Sequence, residues 1–221
     1  MRRRMMMILA ALLLGGALAP PSFAECIEGN CTDGRGVFVF SDGERYAGEF
    51  AQGRANGQGR YDYANGDVYT GQYADGGKNG AGTYRYAGGD VYEGQFARDL
   101  KNGHGTYVFA NGDRYEGDFK DDRRTGHGTY TFRDGGRYVG SFKDDQFDGQ
   151  GVFAYHNGDR YEGGFREGLL HGTGTFTFSS GDTYVGEFVD GQREGQGVYT
   201  FADGEKKSGR FENGRFVGQR P

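Results

Sequence analysis

Asp67-Val68-Tyr69-Thr70-Gly71-Gln72-Tyr73 and Gly80-Ala81-Gly82-Thr83-Tyr84-Arg85-Tyr86 alternate in residue type and are separated by the short segment Ala74 to Asn79. Residues i, i+2 and i+4 of a strand share one face. Tyr69, Gly71, Tyr73, Gly80, Gly82, Tyr84 and Tyr86 therefore fall on one side. Val68, Thr70, Gln72, Ala81, Thr83 and Arg85 fall on the other. One face is aromatic and glycine; the other is small or polar.

The unit recurs along the chain. Tyr46, Tyr69, Tyr92, Tyr115, Tyr138, Tyr161 and Tyr184 lie 23 residues apart, and Lys207 takes the eighth place. A Gly-x-Gly keeps the same register, from Gly34/Gly36 to Gly195/Gly197, and two aromatics follow each pair. Turns such as Asn65-Gly66, Asn111-Gly112 and Asn157-Gly158 come next. Ala-Asn-Gly between Tyr63 and Asp67 suits a three-residue hairpin loop with Gly66 left-handed. That pairing sets Tyr61 opposite Tyr69 and Gly59 opposite Gly71. Reading Ala74 to Asn79 as a six-residue loop pairs 73 with 80, and sets Tyr69 opposite Tyr84 and Gly71 opposite Gly82. The sequence thus predicts an all-β fold: an elongated, curved, single-layer antiparallel β-meander, a solenoid-like array of about eight 23-residue hairpin repeats.

Composition agrees. The chain has 45 Gly, about three times the usual ~7%, without the Gly-X-Y triplet of collagen. Its 18 Phe and 16 Tyr exclude low-complexity disorder, which has little to bury. Residues 1–24 stand apart. Arg2, Arg3 and Arg4 precede the apolar run Ile8 to Ala19, then Pro20-Pro21 and Ser22-Phe23-Ala24. This reads as a secretory signal peptide cleaved after Ala24; the run is short for a bilayer span. The mature protein is then exported, to the periplasm or the extracellular space, free or peripheral to a membrane. Residues 25–45 form a terminal half-repeat with Ile27 in the register of Phe50, and 46–221 the array. Cys26 and Cys31 are the two cysteines, and an oxidising compartment favours their disulfide. Loss of the three arginines leaves the mature chain more negative than the −5 of the whole. Nucleic acid needs a positive footprint, and none is present.

Tyr46-Ala47-Gly48-Glu49-Phe50, followed six residues later by Gly57-x-Gly59, resembles the MORN repeat, as do its copies. The resemblance covers Gly34 to Gly218, nearly the whole mature chain. It departs at Lys207, in the first half-unit, and at Asp99, Asp122 and Asp145, where the pattern has glycine. It implies an antiparallel hairpin array. Such repeats accompany kinases, methyltransferases and exchange factors, and also form freestanding scaffolds; some are proposed to bind acidic phospholipids, others to mediate protein contacts or dimers.

No residue pattern points to catalysis, a cofactor or a metal. The eightfold recurrence of Gly-x-Gly is a steric demand of a sheet rather than a nucleotide fingerprint. His104 and His127 fall in equivalent strands about 9–10 Å apart, too far to share a zinc. Glu93, Glu116 and Glu162 have nothing to split their pKa values as an acid/base pair requires. Lys120, Arg123 and Arg124 are candidates for an anion or lipid headgroup, interrupted by Asp121 and Asp122. Phe147, Leu169, Leu170 and Phe216 read as apolar loop residues. The aromatic face is the candidate partner surface: Tyr69, Tyr84, Tyr92, Tyr107, Tyr115, Tyr130, Tyr138, Tyr161 and Tyr184. It could take a protein, a second copy or a glycan, or its rings could pack on glycine and expose little. The expectation is a non-catalytic scaffold for protein contacts, with lipid or glycan binding as the alternative. Intact mass of the secreted protein checks the leader: it should begin at Glu25 and show no free thiol on non-reducing alkylation.

Overall fold

The computed structural model describes residues 24–218; all but Ala24 of the expected leader lies outside them. The chain divides into two units, Met1–Ala110 and Asn111–Pro221. The first holds β1 (Glu25–Gly29), β2 (Gly34–Val39), β3 (Arg45–Ala51), β4 (Arg54–Asp62), β5 (Val68–Ala74), β6 (Gly77–Arg85), β7 (Val91–Ala97) and β8 (Leu100–Val108). The second holds β9 (Arg114–Lys120), β10 (Arg123–Thr131), β11 (Arg137–Lys143), β12 (Gln146–Ala154) and β13 (Arg160–Arg166). It continues with β14 (Leu169–Thr177), β15 (Thr183–Val189), β16 (Gln192–Thr200), β17 (Lys206–Glu212) and β18 (Arg215–Gly218). Within each unit every strand pairs antiparallel with the next, so both are meanders. Among the described residues there is no helix.

The expected register holds at the short turn. Tyr61 lies opposite Tyr69 and Gly59 opposite Gly71. Tyr63 N–H donates to Asp67 O, and Gly66, at φ +88, closes the loop onto Tyr63 O. The six-residue loop is wrong. Strands β5 and β6 run on to a two-residue turn, Asp75-Gly76, with Tyr73 opposite Lys78 rather than residue 80. Both turn residues have positive φ, 49° and 83°, as a type I′ turn requires. The surplus residues of β6 form a bulge around Gly80, itself at φ +93. Tyr69 opposite Tyr84 and Gly71 opposite Gly82 survive this change. At the N-terminal edge, the register shifts between Cys26 and Glu28. That bulge leaves Ile27 unpaired and 55% exposed, not in the buried register of Phe50. Cys26 and Cys31 are bridged.

The core lies within one layer. Tyr46, Tyr69, Tyr92, Tyr115, Tyr138, Tyr161 and Tyr184 have no exposed surface. Each ring leans along its strand onto a glycine pair: Tyr115 lies against Gly117 and Gly128, which face each other across β9 and β10. Its hydroxyl donates to Asp118 O at 3.0 Å. Phe119 and Phe142 stand edge-on to it, 5.2 and 4.9 Å between centroids. Full burial of such a ring stabilises by about 2 kcal/mol, and edge-to-face contacts add ~0.5–1.5 kcal/mol.

Two links join successive repeats. The I′ turn donates an N–H to a carbonyl one repeat back, Gly76 to Ala55 and Asp145 to Arg124. A carboxylate at the short turn reaches forward. Asp67 accepts from the Tyr84 hydroxyl and the Ala87 N–H, both at 2.8 Å. Asp113 does the same with Tyr130 and Arg133, and Asp182 with Tyr199 and Ala202. Where Gly136 replaces the acid, the ring 17 residues on is Phe153, which has no hydroxyl to offer.

These links set the pH response. The Ser179 N–H holds Asp159 below the usual carboxylate range; the Tyr199 hydroxyl does so for Asp182. Partial burial opposes the shift at Asp67 and Asp113, but the N–H and hydroxyl donors outweigh it. A depressed folded pKa contributes stability above the unfolded value, ~3.9, that is lost as pH falls through the folded value. Urea midpoints should therefore fall on acidification below about pH 4, and less steeply in Asp67→Asn/Asp113→Asn. A second measurement tests the core. A Cβ on Gly117 would sit 2.5 Å from the Tyr115 hydroxyl and 2.6 Å from Gly128 Cα. Gly117→Val should cost at least about 3 kcal/mol, whereas Thr129→Val on the opposite face should be nearly neutral. Equal shifts in the two urea midpoints would contradict this assignment of faces.

Candidate functional site

The tyrosines singled out as a partner surface are not on the surface. Tyr69, Tyr92, Tyr115, Tyr138, Tyr161 and Tyr184 are fully buried, and Tyr84 is 7% exposed. They lie beneath the neighbouring side chains because each leans onto glycine, so the aromatic face is not presented through them. Tyr107 and Tyr130 are half-buried.

What remains open is the pair of aromatics near the end of each second strand. In the first unit, rings Phe40, Tyr61, Tyr63, Tyr84, Tyr86, Tyr107 and Phe109 follow one another at centroid distances of 4.4–5.9 Å. In the second, Tyr130, Phe132, Phe153, Tyr155, Phe176, Phe178, Tyr199 and Phe201 do so at 4.2–5.8 Å. Apart from Tyr84, every ring of both ladders is half-buried. The rings are tilted against each other rather than flat, so each offers an edge and part of a face. Burial, and then donation to Asp113, pushes Tyr130 up to about 12. The hydroxyl is thus a donor at any physiological pH.

A second row flanks the ladder. Lys78, Lys101, Arg124, Phe147, Leu170 and Arg193 hold one position of successive repeats. Read as loop residues, they are in fact strand residues, because the supposed loop is turn plus bulge. Lys78 Nζ lies 4.7 Å from the Tyr84 ring and Lys101 Nζ 4.9 Å from Tyr107. The Arg124 and Arg193 guanidinium carbons lie 5.4 Å from Tyr130 and Tyr199. All are within cation–π range. Phe147 instead stacks on Tyr138 at 3.9 Å. Leu170 is too short to cover its rings. Beside it opens a cleft of about 430 Å³ lined by Phe153, Tyr155, Phe165, Leu169, Leu170 and Phe176. Phe216 and Leu169 are exposed, at 39% and 48%.

Lys120, Arg123 and Arg124 do not converge. Lys120 and Arg123 are paired across β9 and β10 and exposed. Arg124, next in the strand, turns to the aromatic face. Arg123 and Arg124 each meet an aspartate of the next turn, Asp144 at 2.9 Å and Asp145 at 3.0 Å. That pairing takes up the charge the sequence left open. Glu116 and Glu162 are exposed and paired with Arg114 and Arg160 of their own strands. His104 and His127 are exposed on the polar face.

The MORN repeat family model matches eight consecutive stretches, residues 32–45, 46–68, 69–91, 92–114, 115–137, 138–160, 161–183 and 184–206. No curated protein matches the chain. Among solved structures it is similar to the TCP10 domain of CPAP from Danio rerio, with 14% identity and a TM-score of 0.47 over 86% of this chain and 97% of that one. It is also similar to the G-box domain of the microcephaly protein CPAP, with 14% identity and a TM-score of 0.37 over 81% and 100%. Likeness at this level says nothing of ligand or partner. The repeat itself is decided by the eight in-phase matches and by the hairpins that carry them: the chain belongs to the MORN repeat family.

Proposed function

We propose that this protein is a non-catalytic scaffold that binds a protein partner along the half-exposed aromatic ladder, outside the cytoplasm. The ladder carries the reading. A contiguous row of tilted rings offers far more apolar surface than scattered single side chains, and such patches mark interaction sites. Aromatic residues enrich binding surfaces because they give large contact area for little conformational entropy. Glu116 and Glu162 sit in exposed ion pairs, and the turn carboxylates Asp67, Asp113 and Asp182 hold the next repeat's hydroxyl and N–H. The location rests on the leader read from the sequence.

Partner capture from envelope extract tests the surface. The triple variant Phe132→Ser/Tyr155→Ser/Phe178→Ser removes ladder rings and leaves the buried tyrosines in place. It should lose the captured protein, while Thr173→Lys on the polar face should keep it. Capture that survives the triple variant and fails with Thr173→Lys would move the site to the other face.

A further inference from the structure

We infer that the ladder of the second unit takes an acidic polyproline II segment running across the strands, seated in the cleft beside Leu170. This rests on the reading of the ladder as a partner surface and adds the chemistry of the partner.

The first argument is the period. Equivalent ring pairs on this face lie two strand spacings apart, about 9.4–9.8 Å. Polyproline II rises about 3.1 Å per residue with three residues per turn, so it repeats every ~9.3 Å. An α-helix repeats every ~5.4 Å, and an extended strand every two residues, about 6.6–6.8 Å. Of the three, polyproline II alone returns the same face to each repeat. Every third residue would meet Phe153/Tyr155, then Phe176/Phe178, then Tyr199/Phe201.

The second argument is the cleft. The side chain at this position covers rings in the repeats bearing Arg124 or Arg193. Leu170 leaves the space open, about 430 Å³ with walls of Phe153, Tyr155, Phe165 and Phe176. A proline ring is compact and apolar and suits an aromatic-walled slot. Polyproline II makes no internal hydrogen bonds, so its carbonyls are free acceptors. The Tyr155 hydroxyl, on the cleft wall, donates to no protein group among the described residues and stays protonated, because burial raises its pKa.

The third argument is charge. One repeat beyond the cleft the Arg193 guanidinium lies over Tyr199, 5.4 Å away, with one N–H given to Gly214 O. A carboxylate three residues from the seated proline would come to this cation, which favours a Glu-x-x-Pro spacing.

The test uses the whole mature chain and a labelled dodecapeptide of two Glu-Pro-Pro-Pro-Pro-Pro blocks, which sets a proline three residues from each glutamate, read by fluorescence anisotropy. Saturable binding is expected, weaker by about tenfold or more for the peptide with glycine in place of every proline, which loses the helix, and for the peptide with lysine in place of both glutamates, which reverses the charge. Leu170→Arg restores the side chain of sister repeats, so it should fold with an unchanged circular dichroism spectrum and abolish binding. Arg193→Gln should weaken the glutamate-proline peptide and bring it level with an uncharged proline peptide. Equal binding of the glycine peptide, or binding untouched by Leu170→Arg, overturns the inference. If the glutamate-proline peptide fails to bind while the ladder triple variant still loses its captured protein, the polyproline II chemistry is wrong and the ladder reading stands. If that variant also keeps its capture, both fall.

Discussion

A tyrosine ring laid across two glycines of neighbouring strands does the work that a second layer does in most sheets. A single layer has no other place to bury apolar area. Removing two Cβ atoms, one from each strand, opens a slot into which the ring of the first strand folds down. Tyr115 over Gly117 and Gly128 shows the fit: a single added methyl would overlap the ring and the opposing backbone at once. The hydroxyl must still find an acceptor inside that slot, and it finds a carbonyl three residues on. Tyrosine rather than phenylalanine at this place therefore satisfies both the volume of the slot and the carbonyl at its end. Rings that cross strands also tie each hairpin to the next, so each repeat is stabilised by its neighbours.

The rest of the face follows from this packing. With the first-strand tyrosines turned down, the second-strand aromatics are pushed toward the hairpin turn and stack on one another as a ladder. The turn carboxylates then have a task, since Asp67 and its counterparts receive the ladder hydroxyls and the next backbone N–H. The row on the other flank is free to vary. Its lysines and arginines settle over rings, and its leucine leaves a cleft. The conserved geometry of the repeat thus supplies a regular platform, and the variable row supplies what differs from one repeat to the next. A platform whose period is set by strand spacing selects partners by period as well as by chemistry.

The family's repeat and much of its register were legible in the residues. Gly59 opposite Gly71 and Tyr61 opposite Tyr69 followed from an Asn-Gly turn of known size. The second turn was misread because Asp75-Gly76 and Gly80 share one segment, and a type I′ turn plus a bulge resembles a loop when only composition is seen. Asp99 and Asp145 made the turn harder to recognise. Aspartate tolerates positive φ, and in each case the carboxylate accepts an N–H one repeat back, Lys78 and Arg124 respectively.

The sequence by itself determined the fold class, the number of hairpins, and which residues share a face outside the bulges, because strand parity and a fixed spacing leave no other arrangement; Gly80, read onto the aromatic face, lies in a bulge where a Cβ would meet Gln72 of the polar face. It also carried a signal that went unread: Glu44, Asp67, Asp90, Asp113 and Asp182 each stand 17 residues before a tyrosine, Gly136 stands 17 before Phe153, and only Asp159 keeps its acid before a phenylalanine, Phe176. Only the tertiary structure decided which rings are buried. Parity places Tyr69 and Tyr84 on the same side, but it cannot tell that one leans over glycine and the other joins the ladder. That choice is a side-chain rotation set by packing against the opposing strand, and it moves the candidate surface from the first-strand tyrosines to the second-strand pairs.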